Sequence, residues 1–239
     1  MIECLFANLE CRDVLSEEEK AILRAICCRA STIGSGSDIV SQGARPGVST
    51  LIIDGFAARY KLLEDGRRQI TALQIAGDFV DLHAFLLKTM DHGILALSAC
   101  SIVVVDHADL RKVTETEPHL TRMLWLDTLK DAAIHREWIV AMGRRSSKAQ
   151  LAHLVCELFM RLSVVGRVVG DSFQFPVSQT VLADVLGMSV VHLNKTLQSL
   201  RGDGVLTWAN HQIEILDWAA LRHIAEFDPT YLNLQREPR

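Results

Sequence analysis

Apolar and polar residues alternate in three different textures along the chain. Residues 13–30 have helical spacing, with Leu15, Ile22, Leu23 and Ile26 recurring near one turn apart. Ser16 followed by Glu19 has the spacing of a capping box. From about residue 31 short β-rich runs take over, among them "STIGSGSDIV", "VSTLIIDGFAARYKLL", "AGDFVDL" and "ILALSACSIVVVDH". "EDG" between "ARYKLL" and "RRQITAL" is a hairpin signal. Many short strands punctuated by glycines predict a small antiparallel roll.

The third texture is helical. Residues 118–143 form one long predicted helix with two apolar faces. Leu120, Met123, Leu124, Ile134, Trp138 and Met142 share one side; Leu126, Leu129, Ala133 and Val140 share another. A helix that only seals its own domain needs a single stripe. A second stripe points to a twofold partner, and the expected interface is Leu120, Leu124, Ile134, Trp138 and Met142. The alternative is a helix buried between two domains of one chain. "GRRSSK" at 143–148 reads as a linker, followed by a helix at 149–166, a short strand, and helices at 179–186 and 189–202. "GVLTWANHQIEILD" reads as a hairpin with "ANH" at its tip.

The pair at 179–202 has the pattern of a helix-turn-helix. Leu182, Val185 and Leu186 give the first helix an apolar face, and Ala183 is small where two helices cross. Gly187 supplies an unhindered turn, and Ser189 is placed to cap the second helix. Leu193, Leu197 and Leu200 turn that helix inward, leaving Val190, Val191, His192, Asn194, Lys195 and Gln198 outward. Gln179 and Thr180 suit phosphate contacts, and Asn194 suits adenine N6 and N7. The valines suit thymine methyl groups, while Lys195 and His192 can reach purine acceptors. An ordinary helical hairpin is the bland alternative; the following hairpin, placed as a wing, favours the DNA reading.

Composition narrows the class without naming the ligand. The chain has 239 residues, 49% of them hydrophobic and 23% charged, with a net charge of −4. That is ordinary globular composition. No apolar run is long enough to span a membrane, and the start lacks the features of a signal peptide, so a cytoplasmic protein with reduced thiols is expected. No G-x-S-x-G, H-E-x-x-H or phosphate loop occurs, so no enzyme is expected. Between residues 146 and 226 the cations Lys148, Arg161, Arg167, Lys195, Arg201 and Arg222 face seven carboxylates. DNA-binding domains normally carry a basic excess, so this balance supports a rival in which the winged helix makes only protein contacts.

"GDFVDLHAF" and "QTVLADVLGMSVVHLNKTLQSLRGDGVL" resemble the Crp/Fnr family of bacterial transcription regulators, and the order of elements resembles it over nearly the whole chain. The resemblance implies an α+β protein. It would comprise a jelly-roll-like, cyclic-nucleotide-binding-like antiparallel β-roll (1–117), a dimerisation helix (118–143) and a winged helix-turn-helix (144–239). It implies a homodimer on a palindromic operator, with RNA polymerase as a further partner of an activator and no membrane. The segment resembling the effector pocket offers Gly77, Asp78, Phe79, Asp81, His83 and His92. Members that bind cyclic AMP carry a glutamate and, some ten residues on, an arginine in this segment. Here Asp81, Leu82 and His83 stand instead, and no arginine occurs between Arg68 and Arg111. A buried cyclic phosphate without a cation would be poorly stabilised, so the pocket reads as degenerate and the effector as something other than cyclic AMP.

Oxygen-sensing members hold an iron–sulfur cluster on clustered cysteines. Cys4, Cys11, Cys27, Cys28, Cys100 and Cys156 do not have that spacing, and isolated thiols are expected. His83 and His92 flank the pocket segment and are weak candidates for haem or a metal; structural histidines are expected, with no metal site. A haem or iron–sulfur redox sensor, and a β-roll ligand carrier, stay open as alternatives.

Overall fold

The computed structural model describes all 239 residues. Two sheets form the N-terminal roll. One has the order β1–β7–β3, from β1 (Arg29–Ile33), β3 (Val48–Asp54) and β7 (Cys100–Asp106). The other has the order β2–β6–β4–β5, from β2 (Asp38–Val40), β4 (Ala57–Leu62), β5 (Arg68–Gln74) and β6 (Gly93–Ala96). All pairings are antiparallel. Ile52, Ala57, Val80, Met90, Ile94 and Ile102 pack together inside the roll. The "EDG" hairpin joins β4 to β5 with Gly66 at φ 81. A single-turn helix, α3 (Ala84–Leu87), lies in the loop between β5 and β6.

Two helices precede the roll. The pattern anticipates α2 (Glu17–Ile26), and the Ser16–Glu19 capping box forms on both sides. The sequence reading missed α1 (Glu3–Glu10), which has no side-chain cap at Ile2. That omission matters. Leu5, Phe6 and Leu9 of α1 share one apolar cluster with Leu120, Met123 and Leu124 of the long helix α5 (Pro118–Arg144). α4 (His107–Thr116) contributes Leu110 and Val113 to it.

The expected interface on α5 is therefore corrected. Leu120, Leu124, Ile134 and Trp138 are buried in their own chain, the first two under α1 and the last two against the C-terminal helices. Of the five, only Met142 is exposed. The solvent face is a different stripe: Arg122, Trp125, Leu129, Ala132, Arg136, Ile139 and Gly143, every one exposed. Its spacing alternates three and four residues, the seam of a coiled coil.

The C-terminal part contains α6 (Ser147–Val164), β8 (Val168–Val169), β9 (Ser172–Gln174), α7 (Gln179–Leu186), α8 (Val190–Gly202), β10 (Leu206–Ala209), β11 (Gln212–Ile215) and α9 (Trp218–Ala225). Only Arg145 and Ser146 separate α5 from α6, and Ser146 caps α6 through Ala149 N. The core does not stop there. Phe56, Ile70, Leu73 and Ile75 of the roll, Trp138 of α5, and Leu158 and Leu182 of the C-terminal part belong to one cluster.

Buried ions reinforce this junction. Asp78 lies 2.6 Å from Arg161 on α6 and 3.2 Å from Lys130 on α5. Arg161 also pairs with Glu157 at 3.1 Å and donates to Leu73 O at 3.0 Å. Trp138 Nε1 and the Tyr231 hydroxyl both donate to Glu157. The chain end returns to α1, where Arg236 donates to Glu10 O and Glu237 N donates to Arg12 O.

Candidate DNA-binding and effector sites

Sequence and backbone agree closely at the helix-turn-helix. Ser178 Oγ accepts from Val181 N at the start of α7, and Ser189 Oγ accepts from His192 N at the start of α8. Gly187 ends α7 at φ 63, a left-handed conformation that glycine adopts without strain. Leu182, Ala183, Val185, Leu193, Leu197 and Leu200 are buried between the helices and their neighbours. β10 and β11 pair Ala209 with Gln212 across a two-residue turn. Asn210 and His211 both have positive φ there, as a type I′ turn requires.

The outer surface carries most of the expected reading set. Gln179, Thr180, Ser189, Val191, His192, Lys195 and Gln198 are exposed. Asn194 is half-buried at the edge of that surface. Val190 is corrected: it is half-buried and packs against the domain core, so only Val191 projects freely. His192 is exposed, yet its Nε2 lies 2.6 Å from Ser147 Oγ at the start of α6, which directs the ring toward that helix. α7 also abuts the roll: Arg68 pairs with Asp184 at 2.8 Å, and Gln69 Nε2 donates to Asp184 O at 3.0 Å.

A second site lies between the roll and α5. A cavity of about 360 Å³ is lined by Phe79, His83 and His92 from the expected segment, by Arg59 and Lys61 from β4, and by Asp127, Thr128, Asp131, Ala132 and His135 from α5. Gly77, Asp78 and Asp81 do not line it, which corrects half of the expected set. Gly77 takes φ 90, and any Cβ there would lie 2.7 Å from Cys4 O. Asp78 points into the junction with α6. Asp81 is buried and accepts from Thr50 N and Thr50 Oγ1. Burial pushes its carboxyl up to about 7.

Arg59 is the cation that the pocket segment lacks. It sits on a central strand after two buried alanines, and it reaches the cavity from outside the segment that the family pattern singles out. Its guanidinium donates to Asp131 Oδ2 at 2.7 Å and to Val80 O at 3.1 Å, and lies 3.1 Å from His135 Nε2. Burial opposes charge on Asp131, but Arg59 and His135 outweigh it and hold the carboxyl down at about 2. Burial and the nearby Arg59 lower both His83 and His92, the latter to about 4. Lys88 does not line the cavity; its ammonium lies over Phe85.

The six thiols stay scattered through the fold: no three of them converge on one point. Burial raises Cys27 and Cys156 to about 12.

Two parts of the chain match known domain families. Residues 149–224 match a family model described as a Crp-like helix-turn-helix domain. Residues 32–117 match one described as a cyclic nucleotide-binding domain. The chain is 29% identical over 178 residues to a probable transcriptional activator of Rhizobium leguminosarum bv. viciae, covering 74% of this chain and 73% of the other. It is 26% identical over 174 residues to the nitrogen fixation regulation protein FixK of Bradyrhizobium diazoefficiens, covering 73% and 72%. Its fold is similar to the structure of FixK2 from Bradyrhizobium japonicum, with a TM-score of 0.75 and 22% identity over 82% of this chain and 96% of that one.

Proposed function

The chain belongs to the Crp/Fnr family of bacterial transcription regulators, and we propose that it acts in the cytoplasm as a homodimer on a palindromic operator. It is a DNA-binding regulator and not an enzyme on this reading; relatives named as transcriptional activators support activation, with RNA polymerase as the partner at the promoter. The observation that carries DNA reading is the capped α7–Gly187–α8 unit followed by the β10–β11 wing, with one outward face of short and polar side chains. Lys195 and Asn194 are its base-reading candidates, Val191 packs on thymine methyl groups, and Gln179 and Thr180 hold phosphates.

The exposed stripe on α5 supports the dimer. Trp125, Leu129, Ala132 and Ile139 are large or small apolar groups at seam positions, and all are left in water by the single chain. Ala132 also lines the cavity, with Thr128 and His135 beside it. A ligand in the cavity therefore meets the same turns of α5 that pack on the partner, which gives effector occupancy a physical route to the pairing of the two DNA-binding units.

The cavity favours an effector other than cyclic AMP. No glutamate lines it, Asp91, Asp127 and Asp131 would face a phosphate, and Arg59 is already committed to Asp131. Selection of binding sites from a random duplex pool tests the function. The expected winners are palindromes with A·T-rich half-sites about one helical turn apart. Enrichment of no motif, with the protein captured only through other proteins, refutes the DNA reading.

A further inference from the structure

The rim of the cavity holds a donor set that neither DNA reading nor dimerisation uses. His83 stands at the N-terminal end of α3 and His92 just before β6, so the loop carrying α3 brings them back together. Their ring centroids are 5.1 Å apart, with the rings tilted by 38°. One donor atom each from His83, Asp91 and His92 lies within 4.8 Å of the others.

The nitrogens themselves point to a ligand. Nε2 of His83 and Nε2 of His92 are both buried, and neither has a hydrogen-bond partner. The His92 side chain is only 8% exposed. Buried polar atoms are normally satisfied, and two unpartnered ring nitrogens on imidazoles 5.1 Å apart call for a shared partner. Nδ1 of His92 lies 2.7 Å from Asp91 Oδ1. A carboxylate on one ring nitrogen places the proton there and leaves the other nitrogen with its lone pair free, the usual support of a metal-binding histidine.

We propose that His83 and His92 bind one divalent transition-metal ion through Nε2, with Asp91 positioning His92 and offsetting the ion's charge. Imidazole nitrogen suits borderline ions such as zinc, cobalt or nickel better than magnesium or calcium, which prefer oxygen. Two protein nitrogens leave coordination positions open. Both histidines line the cavity of about 360 Å³, which is the side from which water or a further ligand would reach the ion. The ion also ties together the two ends of the loop that carries Leu86 and Leu87, both exposed. The site is independent of the DNA-binding reading, because ion binding is measured on the free protein.

Titration of the full chain with Co(II), followed by its visible d–d bands, and with Zn(II), followed by competition and metal analysis, tests it. The expected result is one ion per chain, with no thiolate-to-metal charge-transfer band. His83→Gln and His92→Gln should each weaken binding by more than ~100-fold, and Asp91→Asn by ~10–100-fold. Asp91 is 65% exposed, so its variant keeps the fold and preserves the test if a histidine variant does not. His119→Gln, far from the cavity, should bind as the unsubstituted protein does. Unchanged affinity in the Asp91→Asn and histidine variants, a thiolate charge-transfer band, or a Soret band from bound haem would overturn the proposal.

Discussion

Replacing Ile139 with alanine separates the two faces of α5. Ile139 is 66% exposed in the single chain and stands in the heptad seam. Full burial of such a side chain is worth about 1.5–3 kcal/mol. Covering the exposed two thirds in both protomers therefore contributes ~2–4 kcal/mol to the dimer, less the methyl that alanine keeps. The two alanine methyls keep about 1 kcal/mol of that, so at about 1.4 kcal/mol per decade the remaining ~1–3 kcal/mol means that Ile139→Ala should weaken the dimer constant by ~5- to 140-fold. Chain stability should hardly change. Leu124→Ala is the contrasting variant: Leu124 is 5% exposed, inside the cluster under α1, and its truncation should cost ~2–5 kcal/mol of folding stability. Sedimentation equilibrium gives the dimer constant and urea melts give the stability. A folded, monomeric Leu124→Ala protein beside an unaffected Ile139→Ala dimer would refute the assignment of the faces.

Three further expectations follow from named contacts. Arg161→Met leaves Glu157 without a cation and Asp78 with Lys130 alone, and should cost ~3–5 kcal/mol in urea melts; a loss below about 1 kcal/mol would show that the junction does not depend on it. His119 lies 2.6 Å from Glu19 and 3.1 Å from Asp13; burial opposes its charge, but these partners outweigh it and raise its pKa above 6.5. A raised histidine stabilises fully below its unfolded pKa and loses that contribution as pH rises through the folded value, so the stability gap between the unsubstituted protein and His119→Gln should shrink from pH 6 to pH 8; a gap that widens in melts across that range contradicts the pairing. Asn194→Ala should lose ~1–3 kcal/mol on the selected operator and relax preference at one base pair, measured by competition among single-base variants.

The sequence made the C-terminal half legible because its signals are local. The cap at Ser189, glycine at the turn and leucines at helical spacing each act within a few residues, and α7 and the wing appear where expected. What failed was knowledge of which surfaces meet. Two apolar faces on α5 were visible, but α1 is short and carries no cap residue, so the face it covers was assigned to a partner. The seam was partly visible in Leu129; Trp125 and Ile139 escaped because Arg122 and Arg136 interrupt the apolar spacing.

The cavity was less legible still. Its segment was found, but Arg59 reaches it from β4, more than twenty residues upstream of His83. One signal was present: an arginine after "FAA" in a strand with apolar neighbours has to be paired or to serve a site. Asp78 read as a pocket residue because spacing alone cannot show that its carboxylate points toward Arg161, eighty-three positions away. Nine residues apart, His83 and His92 are only a weak signal in the sequence, and it is the fold of the loop between them that puts their rings side by side.

The account turns on a dimer that reads both halves of a twofold operator through α8. Titration of the full chain against a labelled operator, by fluorescence anisotropy with stoichiometry read at high duplex concentration, tests that directly. Two chains should saturate each duplex, and scrambling one half-site should sharply weaken binding, because both α8 helices must be engaged at once. Saturation at one chain per duplex, or equal affinity for the intact and half-scrambled sites, would contradict it.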